Sequence, residues 1–436
     1  MDEQMKQIYA GKLINKEAAA AKVSSGDRVY IGTCTSTAYG ISRALGERID
    51  ELEDITILCS NINKPLRIMS GENPTFKINS YFMGSQERQG IAKGITDFTT
   101  FHLSQVDVWV KDIAKPDVSF IEVSSPDEDG YMTFGASGVC LGTYLLEASK
   151  KIILQVNKYA PYVYGEYNKV HVSQADYIVE DHEELFTVGD MPISPELETI
   201  SKLLIDEVKD GDCLQFGIGG LANAVGYGLK DKNDLSCHTE LIGDSLKFLM
   251  ENGNITNKYK KYIPGKTTVS FALGTPELYR FLDHNEDVHF LPMPIINNPA
   301  NIAKNDNVVS VNTALSIDLM GQVVADNIDG RQYSGVGGQI DFVRGAQMSK
   351  GGRSYIAVTS TFDSSKTGRG SRIVPCFKLG TAVTTPRSEV QYIVTEFGCI
   401  NLKTLTMKDR VRAMISLAHP DFRDELTEEA KRMKLL

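Results

Sequence analysis

The chain has 436 residues, 42% of them hydrophobic and 23% charged, enough to bury a substantial core and too many for one compact unit. The formal net charge is −10, with acidic and basic residues mixed along the chain, which argues against nucleic acid or an anionic membrane as the main partner. Any anionic ligand must therefore meet a local positive pocket.

The opening "MDEQMKQIYAGK" has no basic start followed by an apolar core, and no apolar run approaches the roughly 18 residues that span a bilayer. An unexported protein of the cytoplasm is expected. The seven cysteines (Cys34, Cys59, Cys140, Cys213, Cys237, Cys376, Cys399) are dispersed and form no CxxC pair, so they read as buried thiols in a reducing compartment. The seven histidines form no HExxH or Cys/His pairing, and no metal site is expected.

In chain order, the apolar, β-branched runs "VSFIEV" (118–123), "KIILQV" (151–156), "TTVSFAL" (267–273) and "SYIAVTS" (354–360) alternate with glycine turns and helical-period segments. That is the pattern of an α/β protein with largely parallel, buried strands. Thr275 and Pro276 open a helix over "TPELYRFLDHN"; Thr406 caps "TMKDRVRAMISLAH", which Pro420 ends. The turn-rich "FTVGDMPISP" (186–195) precedes the helix-like "ELETISKLLIDEV" and sets the expected division into domains 1–190 and 191–436.

A faint repeat supports that division. "VSSGDRVYIGTCTSTAYGI" (23–41) lies on "VKDGDCLQFGIGGLANAVG" (208–226), and a short deletion later "DITILCS" (54–60) lies on "DLSCHTE" (234–240). Ser60 then falls opposite Glu240, so the second half is expected to hold the chemistry.

"CLQFGIGGLANAV" reads as strand, glycine turn and helix, a turn that brings backbone amides to a ligand at a helix N-terminus. Gly217, Gly219 and Ala222 satisfy GxGxxG/A, and Glu240 falls about twenty residues on, where a dinucleotide-binding acid sits. From spacing alone, Glu240 is open to three readings: catalytic carboxylate, ribose-binding acid, or solvated strand-end charge. His238, two residues before it, shares its side of the strand if the strand persists. A second cluster, "YSGVGGQIDFVRGA" (333–346), sets four glycines beside Gln339 and Asp341 and forms a loop able to aim amides at an oxyanion. Glutamate plus oxyanion loop, with no Ser/His/Asp set, points to carboxylate nucleophilic catalysis on an acyl group.

Taken together, "GIGGLANAV", "HTELIGD", "IDLMGQV", "SGVGGQIDFVRGA", "VTEFGCINL" and "LAHPDFRDEL", with "DVSFIEVSSPDEDGYMTFG" in the first half, resemble the family I coenzyme A transferases of the acetyl-CoA hydrolase/transferase type. The resemblance runs along nearly the whole chain and is strongest toward the 4-hydroxybutyrate and butyryl-CoA:acetate CoA-transferases. It implies two similar open α/β domains with largely parallel sheets, the first on the acid and acyl side, the second with the nucleophile and CoA loops. By the same matching, Glu240 is the nucleophile and Gly338 the oxyanion glycine. Gly217, Ile218, Gly219, Gly220 and Leu221 match the CoA-binding loop, joined by Gly335 and Gly337. Lys350, Arg353 and Lys366 are candidate cations for the CoA phosphates, and Arg88, His238 and Gln339 candidate substrate contacts.

The implied reaction is ping-pong transfer of CoA from an acyl-CoA to a carboxylic acid such as butyrate, 4-hydroxybutyrate, acetate, itaconate or succinate, through a glutamyl-CoA thioester. CoA is a substrate there, no tightly bound cofactor is expected, and a homodimer or homotetramer is implied. Two other readings stand beside it: an acyl-CoA hydrolase using the same glutamate, and an NAD-dependent dehydrogenase or nucleotide-binding module using the GxGxxA turn. The chain departs from the family at Leu241, where Met is frequent, in "IGDS" in place of "SDG", and over much of 33–87.

Overall fold

The computed structural model describes residues 1–189, 192–365 and 368–436. It divides into two compact units, Met1–Gly189 with Lys266–Ile296, and Asp190–Gly265 with Asn297–Leu436. The expected division at 190/191 is thus corrected in one respect: residues 266–296 belong with the first unit. Backbone hydrogen bonds hold them there, Ala272 donating to the Ala136 carbonyl at 2.8 Å, His284 to Tyr162 at 2.9 Å and Phe290 to Tyr164 at 2.7 Å. Local periodicity cannot report such pairing, because both partners satisfy ordinary strand and turn patterns.

The first unit is built on seven parallel strands: β1 Arg28–Thr33, β2 Thr56–Ser60, β3 Lys77–Ser80, β4 Thr96–Phe98, β5 Val118–Val123, β6 Lys151–Val156 and β7 Tyr177–Glu180. Their order is β7-β6-β5-β1-β2-β3-β4. Every residue of β5 is buried, as a parallel strand covered on both faces requires. Val29, Ile31, Ile57 and Phe120 on the strands pack with Ile41 and Leu45 of a helix after β1, α1 (Tyr39–Gly46), in one apolar core.

The second unit carries β8 Cys213–Phe216, β9 Ser236–Cys237, β10 Val308–Thr313, β11 Arg353–Ala357, β12 Tyr392–Thr395 and β13 Gly398–Asn401, in the order β9-β8-β10-β11-β12-β13. All pairs are parallel except β12 with β13. The five-strand path β7-β6-β5-β1-β2 has the same order and direction as β12-β11-β10-β8-β9. The sequence overlay also agrees with pairing register: Arg28 pairs with Thr56, and their counterparts Cys213 and Ser236 pair with each other.

The helices follow their capping signals. Ser194 caps α2 (Pro195–Glu207), α3 spans Gly220–Gly228, α4 spans Asp244–Glu251, and Thr275 caps α5 (Pro276–Leu282). α6 spans Gln339–Met348, and Thr406 caps α7 (Met407–Leu417). Pro420 does more than end α7: it opens α8 (Pro420–Arg432) behind the cap His419. Cys376 is exposed and Cys399 half-buried, a correction to the expectation of uniformly buried thiols; the other five are buried. Among the described residues no helix is long and apolar enough to cross a membrane.

In the second unit the chain leaves the central pair β8/β10 in opposite directions, through α3 to β9 and through α6 to β11. Both helices therefore begin at the carboxyl edge of the sheet, at a topological switch point, where open α/β sheets hold their ligands.

Candidate active site

At this edge β8 ends in Phe216 and the glycine turn begins. Gly217 and Ile218 are exposed, and Gly219 adopts φ +105°, a conformation that strains any other residue. A side chain at Gly217 would meet nothing within 4 Å, so strand-to-helix packing does not demand glycine there. α3 starts at Gly220 without a side-chain cap, leaving the N–H groups of its first turn directed at whatever occupies the edge.

β9 stops at Cys237, earlier than the sequence suggests, so His238 and Glu240 do not continue one strand. His238 is fully buried, its ring 5.8 Å from that of Tyr262 and 6.2 Å from that of Phe342. The expectation that it points alongside Glu240 is corrected: it is a packed core ring. Thr239 donates its hydroxyl to the Phe216 carbonyl at 3.1 Å, tying the turn to the end of β8. Glu240 emerges beyond that tie, only half-buried, with Oε2 accepting a 2.6 Å hydrogen bond from Asn297 Nδ2.

The second glycine loop meets this carboxylate. A Cβ on Gly338 would lie 2.0 Å from Glu240 Oε2 and 2.3 Å from Asn297 Nδ2, so nothing but glycine fits without moving the carboxylate. Gly338 is the N-cap of α6, where a backbone N–H has no intrahelical acceptor. Gly337 before it has φ +65°. The loop is pinned from below. Tyr333 N–H donates to the Asp326 carbonyl at 2.8 Å, and Gln332 Nε2 reaches Asp326 Oδ2 at 3.0 Å. The Asp326 carboxylate also accepts from Thr384.

Burial pushes the Glu240 carboxyl up to about 7; the Asn297 hydrogen bond opposes that and the nearby Asp341 carboxylate adds to it. The side chain keeps a small opening to solvent, yet protein atoms surround the carboxyl itself, and it is this surround that sets the desolvation. A carboxyl pushed toward neutrality and held against the start of α6 suits nucleophilic attack on a polarised carbonyl.

The structure brings Glu240, Gly338 and the Gly217–Leu221 turn to one sheet edge, with Gly335 and Gly337 in the same loop as Gly338. Gln339 donates to the Thr313 carbonyl at 2.9 Å and accepts from Thr385 Oγ1 at 2.8 Å, so both ends of its amide hold the loop in place. Arg353 begins β11 at the opposite edge, bonded to Asp212 at 2.5 Å and to the Glu207 carbonyl at 3.2 Å, and Lys350 precedes it there. α6 carries the chain across the sheet between Gly338 and these cations. Arg88 lies in the first unit, half-buried, donating to the Met83 carbonyl at 2.9 Å. Lys366 lies outside the described residues. Asn297 was not anticipated; in "NNP", Asn298 caps the turn Pro299–Ile302 and leaves its neighbour Asn297 for another task.

Residues 1–188 match the family model of the acetyl-CoA hydrolase/transferase N-terminal domain, and residues 274–430 that of the C-terminal domain. The succinyl-CoA:cyclohexane-1-carboxylate CoA transferase of Geobacter metallireducens is 40% identical over 98% of this chain and 96% of its own. The chain belongs to the acetyl-CoA hydrolase/transferase family. The 4-hydroxybutyrate coenzyme A transferase of Clostridium kluyveri is 38% identical over 98% of this chain and 99% of its own. Among solved structures, RipA from Yersinia pestis superposes with a TM-score of 0.93 at 36% identity, over 100% of both chains. Membership of this hydrolase/transferase family favours acyl-CoA chemistry over the nicotinamide reading.

Proposed function

We propose that this enzyme moves coenzyme A between a short-chain acyl-CoA and a carboxylic acid, with Glu240 as the covalent carrier. The observation that carries the proposal is the Glu240 carboxylate lying within a Cβ's width of the Gly338 backbone at the start of α6. A glutamate Oε attacks the thioester carbonyl carbon, the C–S bond breaks, and an acyl-glutamyl anhydride and CoA thiolate result. The thiolate then attacks the glutamyl carbonyl, the anhydride C–O bond breaks, and the first acid leaves as carboxylate while CoA stays as a glutamyl thioester. An incoming carboxylate reverses both steps.

No proton moves in either half-reaction, so the site needs no general base; this fits a constellation of carboxylate, amide and backbone, with His238 packed away. The Gly338 N–H is the donor for each tetrahedral oxyanion, a contribution on the order of 3 kcal/mol. The Gly217–Leu221 turn, with Gly335 and Gly337, receives CoA, the open amides of α3 being suited to an anionic group. The names of the relatives support an acid such as butyrate, 4-hydroxybutyrate or acetate. Arg88 is the candidate for its carboxylate.

Conversion of butyryl-CoA, followed with and without acetate while free thiol is monitored, tests the proposal. Acetyl-CoA and butyrate formed only when acetate is present, with no free thiol released and with parallel double-reciprocal plots, is the expected result. Free thiol released at full rate with no acid present would identify a hydrolase, water taking the place of the acceptor at the same glutamate.

A further inference from the structure

A loop built from glycine holds an oxyanion donor poorly unless its ends are fixed, because glycine has the freest backbone and the donor must be placed to within about 0.5 Å. Between Ser334 and Gln339 the chain reads Gly335, Val336, Gly337, Gly338. Both ends of this run are tied to one dipeptide far along the chain, Thr384 and Thr385, each buried.

At the front end, Thr384 donates its hydroxyl to the Asp326 carboxylate and accepts from the Ala325 N–H at 2.8 Å. The Asp326 carbonyl in turn receives the Tyr333 and Ser334 N–H groups at 2.8 and 3.2 Å. At the rear end, Thr385 donates its hydroxyl to Gln339 Oε1 at 2.8 Å, while Gln339 Nε2 donates to the Thr313 carbonyl at 2.9 Å. Gln339 opens α6, one Cα step of about 3.8 Å from Gly338. The dipeptide is itself anchored. Both threonine N–H groups donate to the Val323 carbonyl, at 2.9 and 3.1 Å, and the Val323 N–H donates to the Thr385 carbonyl at 3.0 Å.

We propose that Thr385 is a positioning residue: through Gln339 it holds the Gly338 N–H in register with Glu240 and the reacting carbonyl. The inference rests on Gly338 being the oxyanion donor to a reaction carried by Glu240. Thr385 and Gln339 are both buried, so a lost hydroxyl leaves Gln339 Oε1 without its donor and shifts Gln339 together with Gly338. The Cβ position of Gly338 is already 2.0 Å from Glu240 Oε2, so a small shift changes how amide and nucleophile meet. An oxyanion contact is made in the transition state, and its misplacement lowers kcat while leaving KM.

The test is kcat and KM for acyl-CoA in the full-length enzyme, comparing wild type with Thr385→Val and Thr385→Ser. Each kcat is expressed per Glu240 that borohydride converts at the end point of incubation with acyl-CoA, so that misfolded protein does not count. Thr385→Val, close in shape but without the hydroxyl, is expected to lower kcat about tenfold and to change KM less than about twofold. Thr385→Ser, which keeps the hydroxyl, is expected to stay within about threefold of wild type. Equal losses in the two variants, or a raised KM at unchanged kcat, would overturn the proposal. If Thr385→Val does not fold, Gln339→Met removes the same hydrogen bond from the other partner and is read by the same criteria. A double-mutant cycle separates positioning from general stability: in a Gly338→Ala background, where amide and carboxylate are already out of register, Thr385→Val is expected to cost less than about threefold more. A further loss of the full tenfold would show that the threonine acts elsewhere. Failure of the underlying reading is seen separately. No conversion of Glu240 in wild type refutes the nucleophile, whereas conversion in wild type with an unchanged kcat in Thr385→Val refutes the role of Thr385 alone.

Discussion

Gly338 leaves no room for a methyl group, because the Cβ would overlap both Glu240 Oε2 and Asn297 Nδ2. Gly338→Ala is therefore expected to push the carboxylate aside and lower kcat by about 10²–10³-fold, the range for losing an oxyanion donor. Its stability loss, about 1–3 kcal/mol of overpacking, is expected to be recovered by adding Glu240→Ala, a coupling that thermal melts of the three variants measure. Asn297→Ala removes the hydrogen bond that holds Glu240 toward its ionised form. Activity in that variant is expected to fall about tenfold, more at pH 6 than at pH 8, because the nucleophile then ionises later. At this scale, the meeting of Glu240 with Gly338 was legible from motif position. Asn297 and the true orientation of His238 were not. One depends on a contact across 57 residues and the other on where β9 stops, and neither leaves a local pattern.

Among the elements, β5 carries an acid where its neighbours are apolar. Glu122 is 4% exposed, its Oε2 accepting from Asn157 Nδ2 at 3.2 Å, and burial pushes its carboxyl up to about 8. Lys64 opposes that shift, and Glu183 and Asp181 add to it. In the unfolded chain the same group titrates near 4.3, so between roughly pH 4.3 and 8 the native state holds a proton that the unfolded state has released. The sign follows: the contribution to stability is fullest below about 4.3 and is lost as pH rises toward 8, a loss on the order of 5 kcal/mol. Glu122→Gln is expected to flatten the fall in Tm between pH 5 and 8 and to be the more stable protein at pH 8. Equal slopes in wild type and variant would contradict this. Glu240 adds a slope of the same sign, which Glu240→Gln removes separately. The strand runs were legible because two-sided burial forces apolar composition, and the helix starts because Ser194, Thr275 and Thr406 satisfy first-turn N–H groups. Nothing in "VSFIEV" says that Glu122 is buried with the residues around it.

At the level of the whole molecule, the faint repeat proves to be a repeat of topology, with five strands in one order and the same register between the first two. Glycine-aspartate turns survive in the overlay because turns constrain residue type more tightly than strand faces do. What no local signal shows is that 266–296 returns to the first unit, where Ser270 and Ala272 accept from Cys140 and Ser137 and Gly274 accepts from Val188. A fragment of residues 1–189 is accordingly expected to aggregate or bind ANS, and to fold only when a segment covering 266–296 is supplied. A soluble, cooperatively melting 1–189 would contradict that assignment.

The central claim is that Glu240 carries CoA as a covalent thioester between two half-reactions. Its most direct test is to incubate the enzyme with acyl-CoA and no acceptor acid, reduce with borohydride, and map the peptides by mass spectrometry. Conversion of the Glu240 side chain to the primary alcohol, with activity lost in proportion and no conversion in Glu240→Gln, is the expected result. An unmodified Glu240 peptide from enzyme that is turning over, or a reduced carboxyl at another residue, would contradict it.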